Sequence, residues 1–209
     1  MSALPLPTLL DQARRLLAVA HTGLHYTKVD FERERYQEIA QIAAQLIEHS
    51  EHYSAQQVLT TWRIEDGYIT PKLDVRGAMF RGNEVLLVRE RMDGKWTVPG
   101  GFADVNEWPS LSVLKEIEQE SGFTARVLKL AAVHDRNKHN YPPFMFHIWK
   151  LLFVCEITGG EARISNETDG VEFFSLDALP ELSSGRITAP QLQLLHRHYL
   201  QPRLPTEFD

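Results

Sequence analysis

At Pro71 the chain changes period, and this change constrains its fold more than any other feature. Ahead of it, apolar residues recur at helix spacing. Leu9, Leu10, Ala13, Leu16, Leu17 and Ala20 make one run. Tyr36, Ile39, Ile42, Ala43, Leu46 and Ile47 make a second, which opens near Asp30. Thr22-Gly23 is expected to end the first helix, and a third is expected over residues 54–62 with Ser54 as its cap. Behind Pro71 the runs are strand-like and separated by turn residues. They cover 75–80, a turn at Arg81-Gly82-Asn83, 85–89, 96–99, 125–133, 146–157 and 171–175. SLDALPEL reads as a turn and short helix, and Thr188 ahead of Pro190 opens a last helix through Leu200. The expected organisation is a small helical domain over residues 1–68 and an α/β domain with a mixed sheet over residues 69–209.

A chain of 209 residues has room for one good core and a small second unit. Its formal net charge of -6 argues against non-specific nucleic-acid binding, which needs clustered Lys and Arg. The helical segment has no basic excess that would suit a DNA-binding head. Its apolar faces fit homodimerisation. The single cysteine, Cys155, sits in the apolar run FVCEI and is expected to be a buried, inert thiol. With no internal disulfide possible, a reducing cytoplasm fits. The start of the sequence does not resemble a signal peptide, and no apolar run approaches the length of a membrane span, so no membrane partner is expected.

The chemistry concentrates in GGFADVNEWPSLSVLKEIEQESGF, residues 100–123. Pro109 and Gly122 bracket a helix over 110–121, the usual Pro-first, Gly-last asymmetry. At about 100° per residue, Val113, Leu114 and Ile117 share one side; Glu116, Gln119 and Glu120 share another, with small Ser112 beside them. A solvated acidic face is the commonest meaning of such a pattern. The preceding loop argues for more. Gly100-Gly101 allows close backbone approach and exposes carbonyl oxygens, and Glu107 can reach back to the helix. Oxygen ligands so arranged suit Mg²⁺ or Mn²⁺, hard cations partnered by substrate phosphates.

This stretch resembles the Nudix box, G-x5-E-x7-R-E-U-x-E-E-x-G-U, with Gly101, Glu107, Lys115, Glu116, Ile117, Gln119, Glu120, Gly122 and Phe123 at the matching positions. Lys115 replaces Arg and Gln119 replaces Glu. The likeness extends through HTGLHYTKVDFERERYQEI, TPKLDVRGAMF, LLVRERMDGKWTVPGGFADVNE, HDRNKH and SNET. These segments are similar to Nudix hydrolases with an added N-terminal helical domain, a subfamily that includes CDP-choline and ADP-ribose pyrophosphatases. The resemblance implies a Nudix α/β/α sandwich and hydrolysis of a nucleoside diphosphate linked to X, giving a nucleoside monophosphate and phosphorylated X. CDP-choline leads on this resemblance, with ADP-ribose close behind. By position, the Gly100 carbonyl, Glu116 and Glu120 are implied metal ligands, with position 119 normally another. Glu116 would shape or activate the attacking water. Lys115 would orient the carboxylates, without the bidentate fork of Arg. Glu107 would support helix and loop.

Gln119 keeps an oxygen that can coordinate a metal but lacks the charge of Glu. Its presence frames the alternative, a Nudix-fold nucleotide sensor with weakened or lost hydrolysis. Glu167 in SNET is a candidate further ligand or base. Arg89, Arg91 and Trp96 are candidates for substrate contact, although Trp96 equally suits the core. His134, Asp135 and Arg136 open a dense polar cluster, expected as a loop, that can contact phosphate or the group beyond it. His196 and His198 on the last helix are expected to be solvated or interfacial.

Overall fold

The computed structural model describes residues 8–49, 53–62 and 67–209. Two compact units are present: Met1–Pro71 with Pro143–His147, and Lys72–Pro142 with Ile148–Asp209. Among the described residues, no helix is long and apolar enough to cross a membrane.

The first unit contains α1 (Leu9–Tyr26), α2 (Asp30–Glu48) and α3 (Ala55–Trp62). A capping box opens α1: the Thr8 hydroxyl accepts from the Asp11 amide at 3.1 Å, and Asp11 accepts from the Thr8 amide at 3.1 Å. Contrary to the sequence expectation, α1 continues through Thr22-Gly23. A methyl group at Gly23 would overlap the Tyr36 ring, so this glycine serves the close approach of two helices and not the end of one. Ala13, Leu17 and Ala20 pack in one cluster with Ala40, Ala43, Ala44 and Ile47. Ile42, expected on the buried face of α2, is 48% exposed, because it lies about 100° around the helix from Ala43. Ser54 does precede α3, its hydroxyl accepting from the Gln57 amide at 3.2 Å. Phe146, expected at the head of a strand, instead stacks on Trp62 at 5.8 Å within the helical unit.

The second unit is built on β1 (Lys72–Arg81), β2 (Glu84–Glu90), β3 (Trp96–Thr97), β4 (Gly100–Phe102), β5 (Phe123–Asp135), β6 (Ile148–Gly160), β7 (Thr168–Ser175) and β8 (Glu207–Phe208). The order is β3-β2-β1-β6-β5-β8, with β4 paired to β1 and β7 to β2. The pairs β1–β6 and β5–β8 are parallel and the other pairings antiparallel, so the sheet is mixed. Its two faces take one helix each. Val75, Met79, Leu151, Phe153 and Cys155 cluster with Val113 and Ile117 of α4 (Pro109–Ser121). Ala78, Phe80, Leu152 and Val154 cluster with Leu192 and Leu195 of α5 (Ala189–Leu200). A Cβ at Gly77 would stand 2.7 Å from Ile117 Cδ1, so α4 rests directly on β1. This is an α/β sandwich. Cys155 is buried, and burial pushes its thiol up to about 12, leaving it inert at neutral pH.

Two local expectations fail. SLDALPEL forms a turn without a helix: the Asp177 amide donates to the Ser175 hydroxyl at 3.2 Å, the Ala178 amide to the Ser175 carbonyl at 3.0 Å, and Pro180 follows. His198 is fully buried, because Glu207 of β8 meets its Nε2 at 2.8 Å.

Candidate active site

Helix α4 starts with Pro109 and ends at Gly122, whose φ of 79° is the left-handed cap glycine favours. Glu116 and Glu120 lie one turn apart on it and meet β4, where Gly101 pairs with Val75 and Gly100 with Arg76 of β1. Gly100 has φ 145°, and a methyl there would overlap the Val75 carbonyl. Its amide donates to Glu120 Oε2 at 2.9 Å. A Cβ at Gly101 would stand 2.9 Å from Glu116 Oε1. The glycine pair therefore lets two carboxylates lie against backbone. Lys115 forms an ion pair with Glu107, tying loop to helix. Gln119 is exposed on α4, as is Glu118. Glu167 is exposed in the loop before β7, whose Thr168 hydroxyl donates to the Glu120 carbonyl at 2.7 Å.

The carboxylates sit in an unfavourable field. Burial pushes Glu120 up to about 8, against the pull of Arg76 and of the Gly100 amide, and Glu116 and Glu90 push it further. Glu116 is also raised, first by burial; Arg76 opposes this, while Glu167, Asp104 and Asp74 add to it. A divalent cation relieves such a cluster of half-buried acids. No group of three His, Cys, Asp or Glu among the described residues closes into a metal cage. An open site of this kind suits Mg²⁺ or Mn²⁺, which are held by one or two carboxylates plus water and substrate oxygens. The donor set fits the cation that the sequence implies.

The remaining candidates divide. Arg89 pairs with Asp169 at 2.6 Å and lies 5.8 Å over the Trp96 ring. Trp96 meets Phe174 edge-on at 4.6 Å and packs on the core. Arg91 is exposed and donates to the Ser165 carbonyl at 3.2 Å. His134 and Asp135 belong to the end of β5, and Arg136 starts a single 3-10 turn, Arg136–Lys138. This is not the wet loop that the polar composition suggests. His134 and Arg136 are buried, His134 stacks on His139 at 3.7 Å, and Arg136 donates to the Pro142 carbonyl at 2.7 Å. Burial pushes the His134 pKa down.

Sequence reasoning missed the charges beneath the cradle. Asp74 and Arg76 are 5% and 4% exposed, joined through Nε–Oδ1 at 3.0 Å and Nη2–Oδ2 at 2.8 Å. Lys150, 1% exposed, reaches the same carboxylate at 2.7 Å. Glu90 is buried with Arg186 at 3.0 Å. The signal in LDVRGAMF was the alternation of two charged residues with apolar ones, which puts opposite charges side by side on one face of an inner strand.

Residues 70–196 match the family model described as the NUDIX domain. Residues 7–62 match one described as a UDP-X-like, N-terminal oligomerisation domain. A Bacillus subtilis protein called putative ADP-ribose pyrophosphatase YjhB is 40% identical over 200 residues, covering 96% of both chains. A crystal structure titled UDP-X diphosphatase superposes with TM-score 0.63 at 32% identity, covering 96% of this chain and 98% of that one. The structure of an ADP-ribose pyrophosphatase from Streptococcus suis gives TM-score 0.62 at 38% identity, over 67% of this chain and all of that one.

Proposed function

Since the chain belongs to the Nudix hydrolase family, we propose that it hydrolyses a nucleoside diphosphate linked to X, with Mg²⁺ or Mn²⁺, to a nucleoside monophosphate and phosphorylated X. The observation that carries this reading is the Glu116–Glu120 pair against Gly100-Gly101, with Glu120 buried and pushed up to about 8. ADP-ribose comes first among substrates, ahead of CDP-choline, because relatives spanning most of this chain carry ADP-ribose or UDP-X in their names.

Bound metal supplies charge neutralisation for the diphosphate and acidity for the attacking water. Glu116 and Glu120 would hold it, with the Gly100 carbonyl and the Gln119 amide oxygen as further donors. The Gly100 amide fixes the Glu120 carboxylate. Glu116 would take the proton of the attacking water at its carboxylate; Glu167, part of the same field, is the second candidate. The water oxygen bonds to one phosphorus as the bridging P–O bond breaks, and the pair in that bond leaves on the other phosphate. The Lys115–Glu107 ion pair keeps the loop seated on α4. Arg89, Arg91, Trp96, His134, Asp135 and Arg136 remain the candidates for contacts to the rest of the substrate. The sensor reading gains no support from the geometry. Buried Glu120 and half-buried Glu116 are both in place, and Gln119 is an exposed position.

Assembly as a homodimer through the helical unit is part of the same proposal. The domain type of residues 7–62 and the exposure of Leu16, Val19, Phe31 and Ile42 support it. We place the enzyme in the cytoplasm, as the single buried thiol suggests.

The test is product formation from ADP-ribose, CDP-choline and nucleotide sugars in Mg²⁺ and in Mn²⁺, run with Gln119→Glu alongside. Turnover of at least one substrate by the wild type is expected. Tight nucleotide binding without product would overturn the enzymatic reading in favour of the sensor.

A further inference from the structure

Strand β7 opens with a break in its own alternation. Phe173 and Val171 pair with Leu86 and Val88 of β2, and Phe173, Val171 and Leu86 pack in the cluster that contains Val113 and Ile117 of α4. Strict alternation would make Asp169 the next residue on that face. The register shifts instead: Arg89 pairs with Gly170 and Glu90 with Thr168, which leaves Asp169 as the extra residue of a bulge. Asp169 meets Arg89 Nε at 2.6 Å. The place toward α4 passes to Thr168. It is fully buried, and its hydroxyl donates to the Glu120 carbonyl at 2.7 Å.

That carbonyl lies in the last turn of α4, where carbonyls have no partner within the helix. The same loop supplies the Arg163 amide to the Ser121 carbonyl at 2.9 Å. Residues 163–168 therefore cap the helix that carries Glu116 and Glu120. Inside the loop, the Ser165 hydroxyl accepts from the Glu167 and Thr168 amides, each at 3.1 Å, and lies 3.0 Å from the Thr168 hydroxyl. Just past β2, the Arg91 amide donates to the Glu167 carbonyl at 2.8 Å, and Arg91 Nε to the Ser165 carbonyl at 3.2 Å. Both backbone groups of Glu167 are thus held, while its side chain is exposed. Its charge is felt at Glu116 and at Glu90. Capping the helix needs only the donors of Arg163 and Thr168. Fixing the backbone of an exposed acid at both ends, beside the carboxylate pair, adds the preorganisation that a reacting centre needs.

We propose that Thr168 and Ser165 are positioning residues that seat Glu167 on the C-terminal turn of α4, where its carboxylate accepts a hydrogen bond from the attacking water. The assignment rests on the diphosphate-hydrolase reading for the reaction itself.

The test is a double-mutant cycle of Thr168→Val and Glu167→Gln, with Thr168→Ser alongside. It is run on the nucleotide that the wild type turns over fastest in Mg²⁺. Val keeps the branched shape of Thr and removes the donor. Thr168→Val is expected to lower kcat by at least about tenfold, with KM and Mn²⁺ affinity within about threefold of wild type. Thr168→Ser keeps the hydroxyl and is expected to stay within about threefold of the wild-type kcat. Because the seat acts through Glu167, the double variant is expected within about twofold of Glu167→Gln alone. Amide hydrogen exchange at residues 165–168 is expected to be faster in Thr168→Val than in the wild type. If Thr168→Val fails to fold, Ser165→Ala, at a half-buried position, decides by the same cycle and the same exchange.

A wild-type kcat in Thr168→Val, or two effects that multiply in the double variant, would sink the seat alone. A tenfold fall in Mn²⁺ affinity would also overturn it, since Thr168 would then act through Glu120. A wild type silent on every nucleotide, with faster exchange in Thr168→Val, would leave the seat standing and sink the proposed reaction. Silence with unchanged exchange would sink both.

Discussion

The helical unit and the α/β unit bury different things. Among the described residues, the helical interior is alanine, leucine, isoleucine, valine and tryptophan, and Arg14, paired with Asp11 at 3.1 Å, is its one buried charged residue. The α/β unit buries Asp74, Arg76, Glu90, Glu120, Arg136 and Lys150 in addition to its apolar core. Removing charge from water costs several kcal/mol per ion unless it is paired, so such clusters are poor devices for stability alone. Their concentration in one unit marks where the chemistry is. The helical unit spends its sequence on close packing inside and leaves Leu16, Val19, Phe31 and Ile42 exposed outside.

If that division holds, substitutions in the two units produce opposite signatures. The largest effect is expected from Glu120→Gln. It should lower kcat by at least about 100-fold while moving Tm little, since the acid it removes is already disfavoured by burial. A stable variant with wild-type turnover would show that the Glu116–Glu120 pair is not the catalytic centre. Ile47→Ala, in the helical core, should do the reverse. It is expected to cost about 2–5 kcal/mol in urea denaturation and to leave kcat per folded molecule unchanged. A large fall in kcat without loss of stability would make the helical unit part of the catalytic machinery.

Lys150 sharpens the contrast through pH. Between about 8 and the ordinary lysine value of 10.5, the unfolded chain holds a proton at this position that the folded chain has released. The wild type should therefore gain stability with rising pH across that window, and Lys150→Met should remove this gain. Parallel stability curves for the two proteins would show that the lysine is not strained as described. The smallest effect belongs to Gln119→Glu. Water screens this exposed position, so Mn²⁺ affinity is expected to rise by only about threefold to tenfold. A hundredfold gain in a titration would mean that position 119 is a principal ligand and not the weak, water-screened donor described.

The broad division was legible in the sequence because period is local: the change at Pro71 separates helix spacing from strand spacing without tertiary information. The same locality made Glu116 and Glu120 visible, since i and i+4 share a helix face whatever the fold. Gly23 was misread because an isolated glycine has the same appearance at a helix end and at a tight crossing, and only the Tyr36 ring distinguishes them. Phe146 was misread because its partner, Trp62, is 84 residues away. The triad of Asp74, Arg76 and Lys150 was missed for a similar reason. It forms by register between β1 and β6, a parallel pairing that no local pattern specifies.

The most direct test of the account is product analysis of ADP-ribose incubated with the wild type and Glu120→Gln in Mg²⁺ and Mn²⁺. The account predicts AMP and ribose 5-phosphate from the wild type and at least a hundredfold less from the variant. Release of no nucleoside monophosphate by the wild type, from ADP-ribose or any other nucleoside diphosphate derivative, would contradict it.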